Sequence, residues 1–258
     1  MYPIKLPSGS SVGTSPHNHD DIYYRKNTVD ILLDNKASLS YEHATTGDVS
    51  LYIDAVTGND TNDGIAPETA LQTIGAAIAK IPQIVNHTVM IHVVHGHKSD
   101  EVITLSGISG KGTIKICGGK EVEESQNYVV KQVSIHNVSI PVQVTGIRAN
   151  IGDGTAFYVT ASMSVKLYGC SAVTPISVGG CGVEVLYSNV TTDSCEFSNK
   201  ERAVIAKQCA IVLSKNNIGI ANHYALSSFT GATVVKLGTQ PEYLIAAELT
   251  EAGGVIRT

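Results

Sequence analysis

The sequence predicts a mainly β protein wound as a parallel β-helix, and three observations carry that expectation. Valine, isoleucine and threonine number 28, 25 and 22, so 75 of 258 residues are β-branched and suit a pleated strand better than a helix. From His87 to about Leu237 the chain runs in short apolar or β-branched pieces broken by Gly, Asn, Ser or Asp, with no helical stripe. Those pieces recur: Ala210 to Leu213 and Ala232 to Val235 are offset by 22, and Val165 with Leu167 and Val183 with Val185 by 18. A repeat of about 20 residues, made of short strands and tight turns, lets each coil stack on the next and bury Val, Ile and Leu in one column. A β-sandwich shares the composition but calls for hairpin turns and clean alternation, which are scarce here.

The elements follow in order. Residues 1–16 are rich in proline, glycine and serine without periodicity, an extended arm that orders against a partner. Next, Val29, Leu32, Leu33 and Lys36 keep helical spacing behind a candidate N-cap, Asn27. So short a helix is unstable alone and needs partners, of which copies of itself are the economical choice. Residues 51–58 alternate as a strand, and GNDTNDG, 58–64, is a dense turn signal. A capping helix is predicted after it, with Thr69 and Gln72 as a capping box, Leu71, Ile74, Ile78 and Ile81 as its apolar stripe, and Pro82 as its stop. Asn137, Asn150, Asn189 and Asn217 fall at breaks between strands and suit bends where the amide bonds the backbone or the residue turns left-handed. The resulting division is 1–44 arm and stalk, 45–85 strand, turn and capping helix, 86–238 coils, and 239–258 a C-terminal cap or tip.

Composition narrows the function. The charged fraction is 16%, the net charge −5, and only Arg25, Arg148, Arg202 and Arg257 are arginine, so there is no basic stripe for a nucleic acid. No apolar run approaches the roughly 20 residues of a membrane helix, so no membrane insertion is expected. Residues 1–11 lack a charged-then-apolar leader, and the expectation is synthesis in a cytosol without export. Cys117, Cys170, Cys181, Cys195 and Cys209 form an odd set with no C-x-x-C pair and are expected to be buried thiols. With no tryptophan, a sugar-stacking platform would have to be built from tyrosine.

Two stretches carry a resemblance. Residues 52–82, YIDAVTGNDTNDGIAPETALQTIGAAIAKIP, resemble the N-terminal part of pectin-lyase-like right-handed β-helix proteins, in which a strand, a turn and a capping helix precede the coils. Residues 15–37, SPHNHDDIYYRKNTVDILLDNKA, resemble a segment of bacteriophage tail fibres, with an H-x-H pair, a double tyrosine and a short helix ahead of a distal domain. The resemblance implies a homotrimeric fibre or appendage of a virion, made in the host cytoplasm. Its arm would dock on tail or baseplate proteins and its tip would face a bacterial cell-surface glycan.

His17 and His19 are the candidate metal ligands. Positions i and i+2 of an extended chain share a side, so a parallel trimer offers six imidazoles on its axis, a site for a transition metal such as iron or zinc. His92, His95 and His97 converge only if Gly96 turns the chain, and a surface turn is the simpler expectation. In GNDTNDG, Asn59, Asp60, Asn62 and Asp63 offer oxygens, but a calcium loop counted from Asn59 has Ala70 where it needs a bidentate glutamate. Gly152-Asp153-Gly154 reads as a bend, since no helix start follows it. Glycoside hydrolysis, the enzymatic alternative, needs two carboxyls about 5 to 10 Å apart, for which Glu184, Glu196 and Asp193 are the nearest candidates. Glu121, Glu123 and Glu124 read as a solvated loop. The rings Tyr224, Phe229 and Tyr243, in a segment otherwise poor in them, are the candidate receptor contacts; the alternative is that they cover the lower end of the column. The expectation is a non-enzymatic phage fibre that adheres to a host surface or decorates the particle; the alternatives are a polysaccharide-degrading enzyme of the tailspike type and a cytosolic β-helix scaffold protein.

Overall fold

A computed structural model of the chain describes residues 44–174 and 179–258. The expected arm, stalk helix and H-x-H pair lie outside the described residues. Within them the chain is a parallel β-helix of about seven turns, and every strand pairing is parallel. Each full coil visits three sheets in turn. The coil that starts at Thr88–Val93 in the first sheet passes through His97–Lys98 in the second and Val102–Ser106 in the third before it returns at Thr113–Cys117. The first sheet has nine strands and ends at Val255–Arg257, the second has five and ends at Glu196–Ser198, and the third has seven and ends at Tyr243–Glu251.

Alternation within each strand decides what the column buries. In Val102–Ser106 and Thr113–Cys117 every second residue, Ile103, Leu105, Ile114 and Ile116, is fully buried, while its neighbours face outward. Stacked coils place these residues in rows, such as Val89, Ile114, Val142, Val165 and Val190. Each such side chain contributes roughly 1.5–3 kcal/mol by leaving water.

Coil length differs from the expected constant repeat. Val212 pairs with Val234 as the expected repeat requires, but the coils that bring Ile114 to Val142 and Val165 to Val190 are both longer. The match of Val165 to Val183 is overturned: Val165 lies in the first sheet, and Val183 lies in the third beside Phe157 and Val204. Both pieces are apolar and alternate, but they belong to successive sides of the coil.

The corners are built by left-handed residues. Between the third and first sheets, Gly107, Asn137, Ala161, Tyr187, Gln208, Thr230 and Ala252 all have φ between 48° and 68°. The N–H groups of Gly107, Asn137, Ala161, Tyr187 and Thr230 bond the next coil, as Asn137 does to the Thr160 carbonyl and Ala161 to that of Leu186. Gly146 occupies a similar corner between the first and second sheets, where a Cβ would meet the Gly119 carbonyl oxygen at 2.0 Å. Of the four asparagines expected at bends, Asn137 is left-handed and Asn217 bonds the backbone through its amide. Asn189 instead starts a strand, and Asn150 lends only its backbone N–H, to the Val130 carbonyl.

The capping helix is present but shorter than predicted, Ile74–Ala79. Its N-cap is Thr73, whose hydroxyl accepts from the Ala76 N–H at 3.1 Å, and not Thr69. The reason lies in the turn before it. Asp60 accepts from the Gln72 and Thr73 N–H groups, both at 2.8 Å, and Asp63 takes the Thr69 hydroxyl at 2.6 Å. These bonds hold the approach extended, and Leu71 forms a parallel bridge with Ile53. Leu71, Ile74 and Ala77 are fully buried on the first coil; Ile78 and Ile81 pack half-buried beside them.

At the other end, residues 239–258 form the final coil, with Tyr243–Glu251 joining the third sheet and Val255–Arg257 the first. Two inward rows become polar there, while the row of Val212 and Val234 ends in Ile256. The row of Leu167 continues as Thr192, Ser214 and Lys236, and that of Val204 as Leu226 and Glu248. Lys236 and Glu248 form an ion pair across the opening.

Candidate functional site

With the inward rows committed to the core, chemistry falls to the outward rows and corners. On the third sheet, Ser134, Tyr158, Glu184, Ile205 and Ser227 share one row, since each is the partner of the next, though Ser134, Ile205 and Ser227 are themselves buried. Ser134 and His136 share a hydrogen bond at 2.6 Å between Oγ and Nε2, and the His136 ring lies 5.6 Å from that of Tyr158. Glu184 accepts from the Thr155 hydroxyl at 2.9 Å and pairs with Lys207 at 2.7 Å. Lower on the sheet, Arg202 stands 5.7 Å from the centroids of both Tyr224 and Phe229 while its Nη1 bonds Glu201 at 2.5 Å. Its Nε is buried with no partner among the described residues.

A half-buried thiol and a buried lysine border this face. Burial, with Glu184 nearby, pushes the Cys181 thiol up to about 11, so it remains a thiol at neutral pH. Lys200 is fully buried, donates to the Ile151 carbonyl at 3.4 Å, and is pushed down to about 8 by burial.

The receptor candidates separate into two places. Tyr224 and Phe229 meet on Arg202, whereas Tyr243 lines a pocket of about 390 Å³ at the final coil, with Leu226, Lys236, Gln240 and Glu248. Neither of the first two lines that pocket. His17 and His19 lie outside the described residues.

The carboxyls considered for hydrolysis are not gathered. Glu184 lies in the third sheet, Asp193 in the first and Glu196 in the second, and Asp193 is tied to Lys215 at 3.3 Å. Glu121, Glu123 and Glu124 are exposed around the short 3-10 helix Val122–Asn127. The three histidines diverge as well: His92 stacks on Tyr52 at 4.9 Å, His95 meets Tyr128 edge-on, and His97 is buried. His97 is thus no ordinary surface histidine. Its Nε2 lies 3.3 Å from Glu101, which also accepts from Ser99 and from the Ile74 and Gly75 N–H groups at the helix start. Burial raises the Glu101 carboxyl, but the bonds from His97, Gly75, Ser99 and Ile74 outweigh it and hold its pKa below the usual value. In GNDTNDG, Asn59, Asp60 and Asp63 spend oxygens on nearby N–H and hydroxyl groups, which makes a self-bonded turn.

The cysteines differ from the expectation of five buried thiols. Cys170 and Cys195 are buried in successive coils, Cys117 and Cys181 are half-buried, and Cys209 is exposed at a left-handed corner. Sequence reading also passes over Ser134, His136, Tyr158 and Arg202 as one surface. Their juxtaposition depends on coil lengths that no local pattern announces.

No protein-family profile matches the chain, and no curated protein matches it. Among solved structures, the native GH136 lacto-N-biosidase from Eubacterium ramulus is similar at 7% identity and a TM-score of 0.20, covering 93% of this chain and 72% of that one. A likeness at that score carries no statement about activity. The class defined by the strands themselves is a parallel β-helix protein.

Proposed function

We propose that the chain is a structural, non-enzymatic fibre or appendage protein of a bacteriophage or phage-tail-like particle, and that it adheres to a bacterial surface glycan. The observation that carries the reading is the outer face of the third sheet. There Arg202 is held between Tyr224 and Phe229, and hydrogen-bonding groups continue upward through Lys207, Glu184, Tyr158 and His136. Successive coils repeat at about 4.8 Å, so such a face meets a polymer at regular steps along its length. Rings supply flat apolar area and the polar groups fix orientation. The phage assignment rests on the likeness of residues 15–37 to tail-fibre segments. In this reading residues 1–44 attach the protein to the particle as a homotrimer, with His17 and His19 of three copies around iron or zinc. Three weak faces then act together.

Binding of the labelled full chain to bacterial cells tests the adhesion. Replacing Tyr224 and Phe229 by serine is expected to abolish cell binding, with the melting temperature of the surviving protein unchanged. Failure of the parent protein to bind any panel of cells would overturn the reading, as would full binding by the double variant.

A further inference from the structure

The outer face of the first sheet has a different character. Its outward positions follow from the buried alternates Ile114, Val142, Val144, Val165 and Leu167. One row runs Met90, Lys115, Gln143, Lys166 and Thr191, each residue paired with the next. The neighbouring row runs His92, Cys117, Thr145, Tyr168 and Asp193.

Lys115 and Lys166 therefore flank Gln143, one coil on either side. Their backbone positions are two strand spacings apart, about 9.5 Å. Among the described residues neither lysine has a carboxylate within ion-pairing distance, and the acid of the neighbouring row, Asp193, is already joined to Lys215. Lys207, Arg202 and Lys236 are by contrast each paired with a glutamate. The chain as a whole carries a net charge of −5, so this uncompensated positive row runs against its overall balance. Lys166 and Gln143 are also placed. Lys166 stands 5.3 Å from the Tyr168 ring centroid, and the Gln143 amide is turned by a bond from Nε2 to the Thr145 hydroxyl at 3.2 Å.

We infer that this face binds a linear acidic polysaccharide laid along the column axis, with one anionic group per disaccharide. Two coils span about the length of a disaccharide, so successive anions meet Lys115 and Lys166 while the intervening sugar faces the Gln143 amide. A flat, row-like pair of outward-facing ammonium groups, Lys166 exposed and Lys115 half-buried, attracts such a polymer through charges that salt screens. The site goes beyond the adhesion reading and stands on another sheet, so either can fail without the other.

Hyaluronan oligosaccharides, which carry one carboxylate per disaccharide, are the probe, titrated into the full chain at low salt. Binding is expected, and it should weaken as salt is added. Lys115→Gln with Lys166→Gln should lower the affinity on the order of tenfold, the scale of two surface charge contacts. Arg202→Ala should leave it unchanged. Neutral dextran should not bind. Both lysines lie on an outer face, so an unchanged melting temperature will show that the double variant is folded. No binding of hyaluronan, or equal binding by the double variant, would overturn the inference. Equal binding of inorganic polyphosphate would overturn the sugar assignment and leave a face that reads charge alone.

Discussion

The column is closed in opposite ways at its two ends. At the first coil a helix covers an apolar opening: Leu71, Ile74 and Ala77 are fully buried, and Asp60 and Glu101 fasten the helix start by accepting its N–H groups. At the last coil nothing apolar is left to cover in the rows that end in Lys236 and Glu248, and Asn217 and Gln240 continue the polar lining. An apolar end requires an extra element to exclude water, whereas a polar end meets water through its own side chains. The lower end still leaves Tyr243–Glu251 as the outer strand of its sheet, with Tyr243, Leu244 and Ile245 exposed. The charges at Glu248 and Glu251 lie along that strand and discourage pairing with another chain.

The difference predicts where the molecule is most easily broken. Ile74→Ala should have the largest effect, lowering stability by about 2–5 kcal/mol, because it empties the contact between helix and column. Chemical denaturation measures it, and a loss below about 1 kcal/mol would contradict a sealed upper end. Asn217→Ala should cost about 1–3 kcal/mol by leaving the Cys195 N–H and the Thr192 and Ser214 hydroxyls without their buried partner.

A smaller effect depends on pH. The folded pKa of Glu101 is below its ordinary value of 4.5, so its contribution is present above that pH. It is lost as pH falls through the folded pKa. Thermal melting between pH 6 and pH 3 should therefore show a decline that Glu101→Gln reduces. An unchanged slope would remove Glu101 from the fastening of the helix. The smallest change in stability is expected when Lys236 and Glu248 are both replaced by leucine, within about 1 kcal/mol. The consequence should appear in association instead: sedimentation should show the variant forming larger species, because an apolar lower end now lacks a cover.

These ends also show how far local pattern reaches. Ile74 and Ile78 were legible as part of a stripe because their spacing is a property of a few neighbouring residues, whereas Leu71, read into the same stripe, is buried from an extended bridge to Ile53 and Ile81 follows the helix. The helix start was not, because Asp60 and Asp63 reach forward along the chain to hold Thr73 and Thr69. The Ala210 and Ala232 repeat was legible since those coils keep the same length. The match of Val165 to Val183 failed because short apolar strands on different sides of a coil have the same alternation.

The candidate surfaces were legible only in part. Tyr224 and Phe229 stood out as rings in a ring-poor segment, but nothing near them in sequence pointed to Arg202, which belongs to the preceding coil. Lys115 and Lys166 are far apart in the chain and share a row only because two coils of unequal length bring Lys115 beside Gln143 and Gln143 beside Lys166.

The sequence by itself determined that the chain from about His87 onward is a stacked parallel coil, because β-branched alternation and turn residues act over a few neighbours and repeat from coil to coil. Which side chains stand together on the outside was decided by the tertiary structure alone. Each turn contributes its own number of residues, and the register of one coil on the next is set where buried rows interlock, far beyond any local pattern.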